Sequence, residues 1–368
     1  MAVRGARVDR PLIALIAILI VGGGFIFGSA AFGLLARGAT HISSVVFSHV
    51  VLGIGLGLVA LFLCASIDYK VWRRFAPHVF ILALIATALV FIPHLGAVHG
   101  GGRRWIILFG ASFQPAEALK IASVIAAAAY FSSLKAHIHS LYWGVGGFFA
   151  VVGPSAILLI LQPDIGTLGV ICISVFAVYI AAGARMRDIA LICVVAVLAL
   201  GALAFTKPYV RDRITTFFHP AQGQLAESFQ IRQSLIAIGS GSLWGRGLGQ
   251  GVQKFTYLPE PMGDSIFAVA GEEVGFMGSL ALVGIFLAFA LRGFAIATRA
   301  PDLFGGLLAT GISTYLASEA FINIAAMLGL APLTGIPLTF ISQGGSAMLV
   351  SLASAGILLS ISRHQSVK

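Results

Sequence analysis

The chain has 368 residues, of which 59% are hydrophobic and only 10% charged, with a mean hydropathy of +1.01. A soluble domain cannot cover that much apolar side chain with so little polar surface, so the composition excludes a soluble enzyme and specifies a polytopic membrane protein. In such a chain the formal net charge of +10 is read by position along the spans, not as a footprint for nucleic acid.

Arg4, Arg7 and Arg10 precede an apolar run from Leu12 to Leu35. That run exceeds the apolar region of a cleavable signal and is followed by others, so it reads as a retained first helix. Because a bilayer core is about 30 Å thick, apolar stretches of roughly 17–25 residues are the unit to count. Ten are predicted: 12–35, 45–66, 77–95, 114–134, 142–161, 165–182, 188–206, 265–291, 303–330 and 338–361. The fifth and sixth touch across the short break Gln162, Pro163, Asp164.

An even count puts both termini on one side. Basic residues in the connections and tails of that side outnumber those in the short loops opposite by thirteen to three, so both termini are expected in the cytoplasm. The glycine cluster Gly53, Gly55 and Gly57 suits close helix packing in lipid. Cys64, Cys172 and Cys193 lie in apolar runs without metal-ligand spacing, which argues against a disulfide framework or a zinc site.

The long hydrophilic connection from Lys207 to Met262 is placed outside. Its Phe218, Phe229, Ile231, Leu235, Ile236 and Ile238 are too few for an independent core but suit short amphipathic pieces lying on the membrane face. The fold class is therefore an all-α polytopic membrane protein of ten transmembrane helices. It forms one integral domain, 1–368, with an extracytoplasmic loop region at 207–264 between the seventh and eighth helices.

Polar groups gather at the outer ends of these helices. Arg103 and Arg104 precede the fourth; Glu117 and Lys120 lie in its first turns; Asp164 opens the sixth and Asp264 the eighth. Three carboxylates and three cations can thus share one outward-facing site. Each has a bland reading beside the functional one. A carboxylate after Pro115 or Pro163 complements a helix dipole, and Glu117 and Lys120, three residues apart, can neutralise each other. Arg103 and Arg104 beside Trp105 can be interfacial anchors.

Asp264 differs in having no cation within four positions, although it could cap the eighth helix. Glu272 and Glu273, about 100° apart on that helix, cannot both face lipid, and polar packing competes with a substrate role. Glu319 and Asn323 share one face of the ninth helix, where interhelical hydrogen bonding is the modest reading. The break from Pro332 to Ser346 is irregular backbone that needs cover from protein or water.

Six blocks carry a resemblance. They are GGRRWI at 101–106, FQPAEALKIA at 113–122, LQPDIGT at 161–167, QSLIAIGSGSLWGRGLGQGVQK at 233–254, YLPE with GDSIFAVAGEEVG at 257–275, and PLTGIPLTFISQGGSAM at 332–348. In this order they resemble the SEDS family of bacterial wall polymerases (shape, elongation, division and sporulation). The runs at 207–213, 248–254 and 270–273 look more like its division branch, FtsW, than its elongation branch, RodA. Two departures stand out: Met262 and Gly263 replace the family's usual His-Thr before the aspartate, and Gln343 stands where an aromatic is often seen.

The resemblance implies a peptidoglycan glycosyltransferase that polymerises lipid II outside the plasma membrane in one inverting displacement, with Asp264 as general base. Arg103, Arg104 and Lys120 become candidates to hold the diphosphate. Glu117 and Asp164 would orient those cations, and Gln233, Lys254 and Glu260, which lie in the shared blocks, join the substrate-binding set. No cofactor is certain. A divalent cation, Mg or Mn, on Asp164 and Asp264 is the open alternative.

The implied partners are lipid II as donor and acceptor, membrane lipid, a class B penicillin-binding protein of the FtsI type, and divisome regulators of the FtsQ, FtsL and FtsB type, with no nucleic acid. The implied place is the bacterial plasma membrane at the division septum, with the active site extracytoplasmic. A lipid II flippase or transporter, an elongation polymerase of the RodA type, and a catalytically dead scaffold are the competing readings.

Overall fold

The computed structural model describes residues 8–36, 42–99, 102–108, 111–218 and 226–365. Of the charges used for orientation, Arg4, Arg7, Arg37 and Lys368 lie outside them. Eight helices among the described residues are long and apolar enough to cross a membrane. The two other predicted spans are also helical, α7 (Ile165–Ala181) with 17 residues and α13 (Leu303–Met327) with 25, but they fall outside those eight.

Helix α1 (Arg10–Ala36) is started by Asp9, whose carboxylate accepts the Leu12 N–H at 3.0 Å. The same carboxylate takes a two-pronged bond from Arg292, at 2.7 Å for the closest pair, tying the chain's start to α12 (Ile266–Thr298). The second span begins as α2 (Ile42–Phe47), runs through a π-helical segment at Ser48–Gly55 and ends as α3 (Leu56–Ser66). Gly53 and Gly57 bring it against α14 (Gly345–Arg363), where an added Cβ would meet Met348 at 3.2 Å and Leu352 at 2.6 Å.

Helices α5 (Pro115–Leu134) and α14 form the centre of the bundle. In α14, 78% of the most apolar window is buried by protein, whereas in α8 (Met186–Thr206) the figure is 6%, leaving α8 an outer helix whose apolar face suits lipid. The fifth span is α6 (Gly146–Leu161), entered through a π-turn at Leu141–Val145.

Several boundaries differ from the predicted ones, and two spans show the physical reasons. The predicted span 77–95 forms α4 (Lys70–Leu89), which takes Arg73 and Arg74 into its first turns and ends before Pro93, a residue without an N–H, and His94, at φ 71°. The chain then makes a three-stranded antiparallel sheet that apolar periodicity did not predict, β1 (Gly96–His99), β2 (Gly102–Leu108) and β3 (Ala111–Phe113). The last helix starts at Gly345, not at 338. Leu338, Phe340 and Ile341 are apolar because protein covers them, at 1–2% exposure, and not because they are helical.

The connection 207–264 folds into α9 (Pro208–Phe218), α10 (Ala226–Ser240) and α11 (Gln253–Thr256). Beyond lying over the bundle, it enters it. Helix α12 is broken at Gly275, where φ is 70°, and the backbone of 242–247 docks into the break. Phe276 N donates to Ser242 O at 2.9 Å, and Gly247 N to Glu273 O at 3.0 Å. A Cβ on Gly275 would lie 2.2 Å from Gly245 N, so only glycine allows this approach.

Candidate active site

The helix ends and the break before α14 enclose a cavity of about 450 Å³ whose wall includes Arg104, Lys120, Asp164, Arg213, Glu260 and Asp264. Asp264 sits on the turn that feeds α12, and this turn is strapped from two sides. Asn323 Nδ2 donates to Asp264 O at 2.9 Å and to Ile336 O at 2.8 Å. Ser342 Oγ donates to Gly263 O at 2.8 Å, and Gln343 N to Met262 O at 2.7 Å. The position is thereby set by backbone contacts, with Met262 packed in the core at 1% exposure.

Ser265, not Asp264, stands at the N-cap of α12, so the capping reading of Asp264 does not hold. No described residue donates a hydrogen bond to the Asp264 carboxylate, and the side chain lines the cavity. Burial, and after it the neighbouring Glu260, raise its pKa to about 7 against the pull of Arg213 and Arg104.

Arg103 and Arg104 separate because successive strand residues point to opposite faces. Arg104 Nε donates to Gln162 O at 3.1 Å, and its Nη2 to Pro163 O, so this guanidinium lies against the α6–α7 break in the cavity wall. Arg103 is exposed and outside the wall. Arg213, whose place only the docking of α9 reveals, lines the cavity instead. It pairs with Glu227 at 3.2 Å and donates to Thr334 O at 3.3 Å.

Lys120 is in the wall but is not a free cation. Its ammonium meets Glu117 at 2.8 Å and also pairs with Glu319, all three side chains being 2% exposed or less. Two carboxylates against one ammonium leave no positive charge over for a diphosphate. Thr339 Oγ1 donates to Glu319 at 3.4 Å, so the cluster also holds the irregular stretch before α14. Glu319 thus bonds across helices to α5, as expected, whereas Asn323 bonds the turn before α12 and the irregular stretch before α14.

Asp164 lines the cavity as a helix cap. Its oxygens accept Thr167 N at 3.2 Å, Thr167 Oγ1 at 3.0 Å and Gln114 Nε2 at 3.2 Å. With Asp164 so engaged, and no group of three His, Cys, Asp or Glu suited to a metal ion among the described residues, the side chains present do not form a ready-made divalent-cation site.

Gln233 and Lys254 lie outside the cavity wall. Lys254, 0% exposed, pairs with Glu273 at 2.5 Å beside Ser29, while Glu272 accepts the Val252 N–H at 2.8 Å. Both helix-borne glutamates therefore hold the long loop against α1 and α12. Lys254→Met should destabilise the protein by about 3–5 kcal/mol, because it strands a buried carboxylate, and adding Glu273→Gln should recover most of the loss. Thermal unfolding of the two variants in detergent checks both halves.

A family model described as a cell cycle protein, covering FtsW, RodA and SpoVE, matches residues 10–367. The chain is 37% identical over 310 residues to stage V sporulation protein E of Bacillus subtilis (strain 168), covering 84% of this chain and 85% of the relative. It is 38% identical over 310 residues to a probable peptidoglycan glycosyltransferase FtsW of Geobacter sp. (strain M18), covering 83% and 84%. Among solved structures it is similar to a chain of a peptidoglycan synthase complex concerned with coordinating polymerization and crosslinking, with a TM-score of 0.77 at 26% identity, covering 97% of this chain and 98% of that one. It is also similar to the rod shape determining protein RodA of Thermus thermophilus, with a TM-score of 0.71 at 26% identity, covering 98% of each. In sequence and fold alike, the chain belongs to the FtsW, RodA and SpoVE family, the SEDS family of membrane proteins.

Proposed function

We propose that this chain is a peptidoglycan glycosyltransferase that polymerises lipid II at the cavity. The observation that carries the reading is a carboxylate, Asp264, without a hydrogen-bond donor among the described residues and with a raised pKa, set in a wall that also holds the guanidiniums of Arg104 and Arg213. In one displacement, the acceptor sugar's 4-hydroxyl oxygen bonds to the donor's anomeric carbon as the bond from that carbon to the diphosphate oxygen breaks. The proton passes to Asp264, and the electron pair leaves with the lipid diphosphate. Because diphosphate is a good leaving group, one base with cationic support suffices, and Arg104, together with Arg213, which shares its charge with the single carboxylate of Glu227, is placed in the wall to give it.

A class B penicillin-binding protein is the proposed partner, supported by the similar chain found in a synthase complex. Work at the septum, in the plasma membrane with the cavity outside, is the proposed setting, supported by the relatives named FtsW.

The test is polymer formation from purified lipid II with the partner transpeptidase present. Translocation of lipid II across proteoliposomes without polymer would overturn the assignment in favour of a transporter. The pH profile adds a sharper check. The base must be ionised, so activity should rise with pH through about 7. Glu260→Gln removes a like charge that raises the Asp264 pKa, so the rising limb should move to lower pH. An unmoved limb would break the link between that titration and Asp264.

A further inference from the structure

An uninterrupted α12 would bond Phe276 N to Glu272 O and Met277 N to Glu273 O, each four residues back. In the folded chain all four groups bond the inserted loop instead. Phe276 N donates to Ser242 O at 2.9 Å and Met277 N to Leu243 O at 3.1 Å, while Arg246 N and Gly247 N donate to Glu272 O and Glu273 O at 3.0 Å each. The loop backbone is spliced into the helix. Residues 266–274 thereby become a separate rod, buried from 266 to 273, that follows directly on the turn carrying Asp264.

The rod's glutamates grip the same loop through their side chains. Glu272 accepts the Val252 and Gln253 N–H groups at 2.8 and 3.1 Å, and Glu273 accepts that of Gly249 at 3.1 Å. Lys254 fastens this arrangement to α1: its ammonium donates to Glu273 and to Ser29 Oγ, both at 2.5 Å, and Ser29 Oγ donates to Glu273 at 2.6 Å. Lys254 is fully buried outside the cavity wall, so it does not reach the reacting groups there.

We propose that Lys254 is a positioning residue for Asp264: by fastening the spliced loop to α1 and Glu273, it keeps the break open and holds the 266–274 rod where Asp264 lines the cavity. The inference rests on the proposed role of Asp264 as base. The break has a built-in competitor, because a withdrawn loop lets α12 remake its own two bonds. Gly275, at φ 70°, is the hinge, since glycine adopts this conformation and the helical one alike. A buried ion pair is costly to break from one side, and it therefore weights the balance toward the docked loop.

Lys254→Met with Glu273→Gln removes both buried charges together, so this variant should fold with a melting temperature near that of wild type. Its kcat for lipid II polymerisation should nevertheless fall about tenfold or more, with KM held within about twofold. The rising limb of its pH profile should move to lower pH, because a swung rod leaves Asp264 less buried. Hydrogen exchange of the 242–254 amides should quicken about tenfold or more.

A covalent tether tests the reverse. A Cβ at Gly33 would lie 3.1 Å from Lys254 Cβ, close to the separation of about 3.5–4.5 Å in a disulfide. Gly33→Cys and Lys254→Cys are combined with Glu273→Gln in a chain whose Cys64, Cys172 and Cys193 are replaced by alanine. When oxidised, this protein should recover kcat, the pH limb and slow exchange, and it should lose all three on reduction. A double variant with wild-type kcat and exchange would overturn the proposal, as would an oxidised tether that slows exchange without restoring kcat. If exchange and the pH at which Asp264→Asn gains stability both follow the tether, but wild type forms no polymer under any condition, the positioning stands and the glycosyltransferase reading fails.

Discussion

Asp264→Asn is expected to reduce lipid II polymerisation by about 10²–10⁴-fold, the range for loss of a positioned general base, while the protein folds and binds substrate. Asparagine keeps the shape, and the turn is held through the backbone carbonyls of 262–264, which the substitution leaves alone. Stability should move the other way. Burial raises the folded-state pKa above that of the unfolded chain, so the carboxyl favours folding below the unfolded value and loses that contribution as pH rises through about 7. Asp264→Asn should therefore melt higher than wild type near pH 8, with the gain disappearing near pH 4. Wild-type polymerisation, or a melting difference independent of pH, would show that this carboxylate is neither the base nor held in a desolvated state.

The second large effect is expected at Lys120. Removing its ammonium in Lys120→Met leaves Glu117 and Glu319 facing each other in the interior, at a cost of about 3–5 kcal/mol. Because Glu319 also receives Thr339, the stretch leading to α14 should loosen and activity fall with stability. The double variant Lys120→Met with Glu319→Gln should recover most of the stability and part of the activity. If Lys120→Met melts like wild type and loses only substrate affinity, the ammonium serves the substrate and not the fold. Denaturation and Michaelis parameters on the same preparations separate the two outcomes.

These two residues show how far the chain could be read before it was folded. Asp264 was legible because an acidic side chain at the mouth of an apolar helix, with no cation nearby in sequence, leaves a helix cap as its main structural explanation, and the shared block around it favours the functional one. The full pairing of Lys120 was not legible, because one of its partners, Glu319, lies 199 residues away. The pair Arg103 and Arg104 looked equivalent until a strand sent one to each face. Lys254 sat in a shared block, yet it is an ion-pair partner inside the bundle.

By itself, the sequence determined the membrane class, most span positions, the family and the carboxylate proposed as the base. Each of these rests on local apolar content or on a short motif, and neither needs a distant partner to be recognised. Tertiary structure alone decided which cations are free, because that depends on the charges each one meets. It likewise decided that the long connection docks into the break at Gly275, that Leu338, Phe340 and Ile341 are buried without being helical, and that Arg213 joins the site. In each case the deciding contact is made by residues far apart along the chain, where neither hydropathy nor spacing carries the information.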